Sequence, residues 1–228
     1  MRIDKLLTQL KYTSRSQARV FLKNHHIIYD HKRLLDPSAQ VDPLNDIFID
    51  RIKVFYKDPI YLMIHKPKGY LSAIKDKMHP CIIELLNDPY NRFDFHIVGR
   101  LDIDTTGLIL LTTDGIFTHE ITHPNKHVPK TYVATLEQVC SNTDELLKGV
   151  SIKDDFNHQY QAIATNVSVS DLEVTLTITE GKFHQVKRMF EAIGSKVIQL
   201  KRISIGHLML GDLPEGSYKE IRKEDIFD

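Results

Sequence analysis

Apolar residues open the chain at helical spacing. Ile3, Leu6, Leu7 and Leu10 recur at i, i+3, i+4 and i+7, which puts them on one face of an amphipathic helix. Ser14 stands where an N-cap belongs, so a second helix is expected from there through Asn24, with Ala18, Phe21 and Leu22 turned toward the first. IIYDHKRLL follows, two short apolar patches around polar residues 30–32, and reads as a hairpin. Two helices and a hairpin make a module of about 50 residues, too small to be very stable by itself.

RIKVFYKDPIY, residues 51–61, mixes strand formers with a charged tip and a proline, and the boundary is placed near Lys57: a module of 1–57 and a second domain of 58–228. Beyond it YLMIHKPKGYL, HIVGRL, GLILLTT, TYVATLE, YQAIATNVSV and LEVTLTIT carry strand patterns. Helical patterns are fewer: 80–87, 115–122, 142–149, and the strongest after Lys182. There Val186, Met189, Phe190 and Ile193 share a face and Gly194 supplies a stop. Strands outnumber irregularly interspersed helices, which predicts an α+β fold: a small helical and hairpin module, then a mixed, mainly antiparallel sheet with flanking helices.

Composition adds little to this picture, but the distribution of charge adds more. The 228 residues are 42% hydrophobic and 26% charged, with 30 basic residues against 30 acidic ones, so the whole chain gives no argument for a polyanionic partner. Residues 1–35 nevertheless hold eight Lys and Arg (2, 5, 11, 15, 19, 23, 32 and 33) and only two acids, Asp4 and Asp30. Arg15, Arg19 and Lys23 fall at i, i+4 and i+8, a cationic stripe that no acid of the second helix relieves. Two readings stand, a solvated face and a phosphate-backbone contact; Lys32, Arg33 and the His25–His26 pair nearby add weight to the second. Cys81 and Cys140 are far apart and fit neither a disulfide framework nor a zinc site. With no long apolar run and no signal-peptide layout at the start, a soluble cytoplasmic protein is expected.

GRLDIDTTGLILLTTDG, residues 99–115, sets three aspartates around an apolar run. Asp102 and Asp104 form a DxD which, on a strand, would present both carboxylates on one face, as in metal-dependent sugar transferases. A glycosidase-like pair and plain turn chemistry are the other readings, and turns suit Asp104 and Asp114 best. Asp102 differs: flanked by Leu101 and Ile103, it belongs to an apolar wall, and a desolvated carboxylate needs a cation or hydrogen-bond donors to stay ionised. EGKFHQVKRMFEAIG, residues 180–194, supplies one in an unexpected place. Lys182, Lys187 and Arg188 cluster at a helix start, where the dipole disfavours each cation by ~0.3 to 1 kcal/mol. Asp102, an RNA phosphate and water are all candidate counter-groups. In HPNKHVPKTYVATLE, residues 123–137, alternation puts Lys130 and Tyr132 on one strand face, Tyr132 as a core aromatic or as a surface on which a base stacks.

Together these segments resemble the pseudouridine synthases, in particular the group that modifies small-subunit ribosomal RNA. GRLDIDTTGLILLTTDG resembles the motif around that family's catalytic aspartate, KTY the segment of its active-site tyrosine, EGKFHQVKRMF the segment of its basic partner, and HKPKGYLS the start of its catalytic domain. The amino-terminal module looks like the RNA-binding fold of the fourth small-subunit ribosomal protein. The resemblance implies that Asp102, Tyr132 and Lys187 are catalytic, with Arg188 one position from the basic partner's place, and that Arg100, Arg188, Arg15, Arg19, Lys23 and Lys130 contact RNA. It implies no cofactor and no metal, a monomer, and ribosomal RNA or an assembling small subunit as partner, with the uridine-516-type site of 16S RNA as target. The large-subunit branch shares most of the pattern; Asp104-Thr-Thr, His119 and KTY lean toward the small-subunit group. His65 stands where many relatives have Asn, and His123 where Ser is common.

Overall fold

The computed structural model describes residues 1–227 and separates into two compact units. The first runs α1 (Ile3–Gln9), a 3-10 turn (Arg15–Gln17), α2 (Ala18–Asn24), β1 (Ile27–Tyr29), β2 (Lys32–Arg33), β3 (Ile47–Ile49) and β4 (Ile52–Lys53), with sheet order β2-β1-β3-β4. Ile3, Leu6 and Leu7 of α1 and Leu10 at its C-cap are all buried. Ser14 is extended and its hydroxyl caps nothing; the 3-10 turn intervenes before α2 begins. Asp30 and His31 both take positive φ, 49° and 59°, which lets the two-residue β1–β2 turn follow the right-handed twist of its strands.

This unit comprises Met1–Pro59 together with Leu86–Phe95 from beyond the expected boundary. Aromatic packing explains the recruitment. Phe55 meets Tyr90 and Phe93 edge-on, with ring centroids 5.6 and 5.9 Å apart, and the Arg92 guanidinium lies 4.3 Å from the Tyr12 ring centre. Arg15, Arg19 and Lys23 are exposed as a stripe. An acid does reach it from outside the helix: buried Asp4 bonds Arg2 at 2.8 Å and lies 4.0 Å from Arg15.

The second unit runs β5 (Tyr61–Lys66), β6 (His96–Val98), β7 (Thr106–Thr112), α3 (Gly115–Thr122), β8 (Lys130–Leu136), α4 (Glu145–Lys148), β9 (Val150–Lys153), β10 (Gln159–Ala162), β11 (Asn166–Ser170), β12 (Glu173–Ile178), α5 (Gln185–Ala192), β13 (Val197–Ile205), β14 (Leu208–Met209), β15 (Tyr218–Glu220) and α6 (Glu224–Phe227). Its nine-stranded sheet has the order β11-β12-β8-β13-β7-β5-β15, with β6 on β7 and β14 on β13. Among the strands of the described residues only β7 and β13 pair in parallel, so the α+β, mainly antiparallel architecture holds. β7 lies at the centre and is buried on both faces, which is why Leu108, Ile109, Leu110 and Leu111 run without polar alternation.

Three expectations change. Residues 80–87 form only a 3-10 turn, Ile82–Leu85. YQAIATNVSV divides into β10 and β11, which belong to different sheets. β13, nine residues long and central to the sheet, was not expected as a strand. Asp114 behaves as a turn residue, capping α3 by accepting the Ile116 and Phe117 N–H groups and also the Tyr61 hydroxyl.

Candidate active site

Asp102 is not on a strand. It opens a turn ahead of β7, closed by the Thr105 N–H on its own carbonyl at 3.1 Å, so strand alternation does not govern the DxD pair. The segment after β5 clamps this turn through the backbone. Gly69 donates to the Ile103 carbonyl at 2.7 Å, and the Ser72 hydroxyl both accepts from and donates to the main chain of Leu101. Lys66, with no exposed surface, donates to the carbonyls of Pro67, Ile103 and Thr105. Burial pulls this lysine down to about 8, although Asp104 and Asp102 nearby favour its charge. HKPKGYLS thus holds a buried prop beneath the aspartate turn, which its pattern did not disclose.

The cation expected near Asp102 is Lys187. Its Nζ lies 3.2 Å from Asp102 Oδ2 and 2.7 Å from Asp104 Oδ1. Arg188 points elsewhere, donating to the Lys153 carbonyl with its guanidinium 5.1 Å from the Phe183 ring centre. The anion that relieves the crowded start of α5 is therefore a pair of carboxylates, which the helix dipole also favours. Asp104 is more than a turn residue, and an ammonium occupies the place between the two carboxylates that a metal-dependent transferase would reserve for its ion. Asp102 has a further neighbour that the sequence reading passed over: His184 Nε2 is 3.3 Å from its Oδ1. His184 enters α5 in the left-handed region, φ 50° and ψ 25°, its ring stacked on Phe183 at 3.7 Å. Such a conformation in a non-glycine residue costs of order 1 to 3 kcal/mol and collects at working sites. Gln185 braces it, accepting from the Lys182 N–H and donating to Glu180.

Burial pushes the Asp104 carboxyl up, but the hydrogen bond and charge of Lys187 outweigh it and hold the group below the usual carboxylate range. Burial likewise pulls Lys187 down, and the two carboxylates more than restore it, leaving it above the ordinary lysine value. A carboxylate depressed on folding stabilises above its ordinary value of 3.8 and loses that contribution as pH falls further. A lysine raised on folding stabilises below 10.5 and loses it as pH rises through the higher folded value. The stability difference between wild type and Lys187→Met, measured by urea unfolding, should therefore be level from pH 5 to 9 and shrink at both extremes. A difference still growing above pH 11 would contradict the pairing.

Beside the carboxylates lies a cavity of about 200 Å³ whose walls include Asp102, Thr105, Lys130, Tyr132, His184 and Arg202. Tyr132 is buried, as a ring packed in the sheet, and one side of it faces the cavity. Lys130 is buried too, its ammonium donating to the Val128 carbonyl at 2.9 Å; it is turned inward, not toward a phosphate backbone. Arg100 is exposed at the cavity rim. Asp102 is not sealed in a dry wall: its side chain is 26% exposed and Ile103 beside it is half-buried, so the carboxylate is held at an entrance. Among the described residues no cluster of three His, Cys, Asp or Glu side chains could hold a metal, and no helix is long and apolar enough to cross a membrane.

Comparison with known proteins agrees with this arrangement. Residues 60–192 match the RNA pseudouridylate synthase family model, and residues 1–47 match the S4 domain. A protein of Bacillus subtilis (strain 168) described as an uncharacterized RNA pseudouridine synthase is 39% identical over 99% of this chain and 97% of its own length. The ribosomal small subunit pseudouridine synthase A of Escherichia coli (strain K12) is 36% identical over 99% of this chain and 98% of its own. A crystal structure of a pseudouridylate synthase superposes with a TM-score of 0.67 at 33% identity, covering 99% of this chain and 98% of the other. With an S4 domain ahead of a catalytic domain matched along both sequence and structure, the chain belongs to the RNA pseudouridylate synthase family, enzymes that isomerise uridine in RNA.

Proposed function

We propose that this enzyme acts in the cytoplasm as a monomer on small-subunit ribosomal RNA, free or in an assembling particle, and converts the uridine-516-type site of the 16S molecule to pseudouridine. The observation that carries the catalytic part is one carboxylate, Asp102, held between Lys187 and His184 at the entrance of a cavity walled by Tyr132. End-to-end similarity to a relative named for the small ribosomal subunit supports the choice of RNA.

The target atoms lie inside a stacked base, so the nucleotide must be turned out of the RNA at a cost of roughly a few kcal/mol. Tyr132 then offers the base a stacking surface worth about 1 to 3 kcal/mol. Asp102 acts on the sugar or the base, with Lys187 holding the carboxylate in place by a hydrogen bond. Arg15, Arg19 and Lys23 on the amino-terminal unit, with Arg100 and Arg188 on the catalytic one, carry contacts to the RNA backbone. Pseudouridine mapping of ribosomal RNA from a strain lacking this protein should show one site missing from the small-subunit RNA. A site missing only from the large-subunit RNA would move the enzyme to the sister branch, and an unchanged map would remove ribosomal RNA as its substrate.

A further inference from the structure

The floor of the cavity carries charge that the roles above leave unused. Arg202, 2% exposed, stands on β13 directly opposite Tyr132 on β8. Opposed residues of an antiparallel pair project from the same face, so guanidinium and phenol lie side by side. Its Nε donates to the Leu108 carbonyl at 2.7 Å, and Nη1 makes a long contact of 3.4 Å to the Tyr132 hydroxyl. Nη2 is buried with no acceptor, and the Thr105 hydroxyl on the same cavity wall is likewise unpartnered. Lys130, also buried and facing the cavity, has one hydrogen bond, to Val128. Among the described residues neither cation forms an ion pair; Glu180, the acid nearest the cavity besides Asp102, is bonded to Gln185. Burial and the like charge of Arg202 push Lys130 down to about 8, and no carboxylate opposes that shift.

Buried cations without counter-charge and donors without acceptors are costly, and they persist where a ligand completes them. Pseudouridine formation itself generates the missing partner. When C1′–N1 breaks, its electron pair leaves on the uracil ring, shared among N1, O2 and O4. The sugar's deficit is met either by a carboxylate or by loss of the C2′ proton, and the ring is the same anion in both cases. C5 then bonds C1′ as the carboxylate leaves it or the C2′ proton returns, and the C5 proton ends on N1. A backbone phosphate cannot be the occupant of groups this deeply buried, whereas a flipped base reaches the floor.

We infer that Arg202, seconded by Lys130, holds the negative charge of the detached uracil, with the free Nη2 donating to a ring oxygen. The inference rests on Asp102 and Tyr132 marking the reacting centre.

The test uses two RNAs that differ only in carrying uridine or 5-fluorouridine at the target, with single-turnover consumption of that nucleotide as readout. Fluorine makes the detached ring a more stable anion, which needs less help from a cation. Arg202→Gln should lose about 10²-fold on uridine and about tenfold or less on the fluorinated RNA, with unchanged RNA affinity. Arg202→Lys should recover most of the rate. Lys130→Met should show the same bias, and it carries the test alone if Arg202→Gln is insoluble. Equal losses on both RNAs would overturn the inference and leave Arg202 as a prop for Tyr132. Asp102→Asn is run alongside: turnover by that variant would remove the reacting centre, whereas an inactive Asp102→Asn with an unbiased Arg202→Gln rejects only the role of Arg202.

Discussion

Asp102→Asn is expected to abolish pseudouridine formation, with a loss of roughly 10⁴- to 10⁶-fold, the scale seen when a nucleophile or its proton acceptor is removed. RNA affinity and unfolding midpoint should stay close to wild type. The reason lies in how the turn is held. Gly69, Ser72 and Lys66 grip main-chain atoms of Leu101, Ile103 and Thr105, and none uses the Asp102 carboxylate. Lys187 keeps its shorter contact, 2.7 Å to Asp104, and asparagine preserves the shape of the side chain. The substitution therefore removes charge and basicity from one position and leaves the cavity in place. Carbodiimide-based primer extension on the purified variant, beside a binding curve, measures both quantities. Turnover above background would take Asp102 out of the chemistry; lost binding would make it a substrate-holding residue instead.

The parts of this site that could be read from sequence are those where a local rule was broken in view. A carboxylate between Leu101 and Ile103, and cations where a helix dipole repels them, each demand a partner, and the two demands answer one another across 85 positions. The clean apolar face of α5 made its burial legible for the same reason. What stayed hidden depends on contacts that only the assembled sheet creates. β13 places Lys201 and Arg202 in its middle, and an inward arginine spoils the alternation by which a strand is recognised. Lys66 looks like an ordinary charge at a strand end until the aspartate turn folds over it and accepts from it through the Ile103 and Thr105 carbonyls, beside that of neighbouring Pro67. His184 reads as a helix-start residue; its approach to Asp102 follows from a left-handed backbone that no side-chain pattern announces. Asp104 illustrates a different limit, since turn chemistry and ion pairing are compatible and a sequence rule that finds one is silent on the other.

Gly107→Ala should cause the largest loss of stability in the catalytic unit. Gly107 sits on β7 opposite Arg202 of β13, in the sheet's parallel pairing. A Cβ there would lie 2.2 Å from the Arg202 carbonyl oxygen and 2.5 Å from its nitrogen, both backbone atoms that cannot swing aside, and its φ of +109° is strained for any side chain. Backbone strain of about 1 to 3 kcal/mol and overpacking of about 1 to 3 kcal/mol combine to roughly 2 to 6 kcal/mol. Gly69→Ala separates the two causes, because φ is +88° there while nothing lies within 4 Å of the added carbon. It should cost only the conformational part, and the excess in Gly107→Ala reports the closeness of β7 and β13. That closeness also matters for the chemistry: it brings the Leu108 carbonyl within 2.7 Å of Arg202 Nε, and the aspartate turn leads directly into β7. Any Gly107→Ala protein that folds should therefore be less active as well as less stable. Urea unfolding of both variants, followed by turnover of whatever remains soluble, decides the matter, and a wild-type midpoint for Gly107→Ala would mean that the two strands can part without cost.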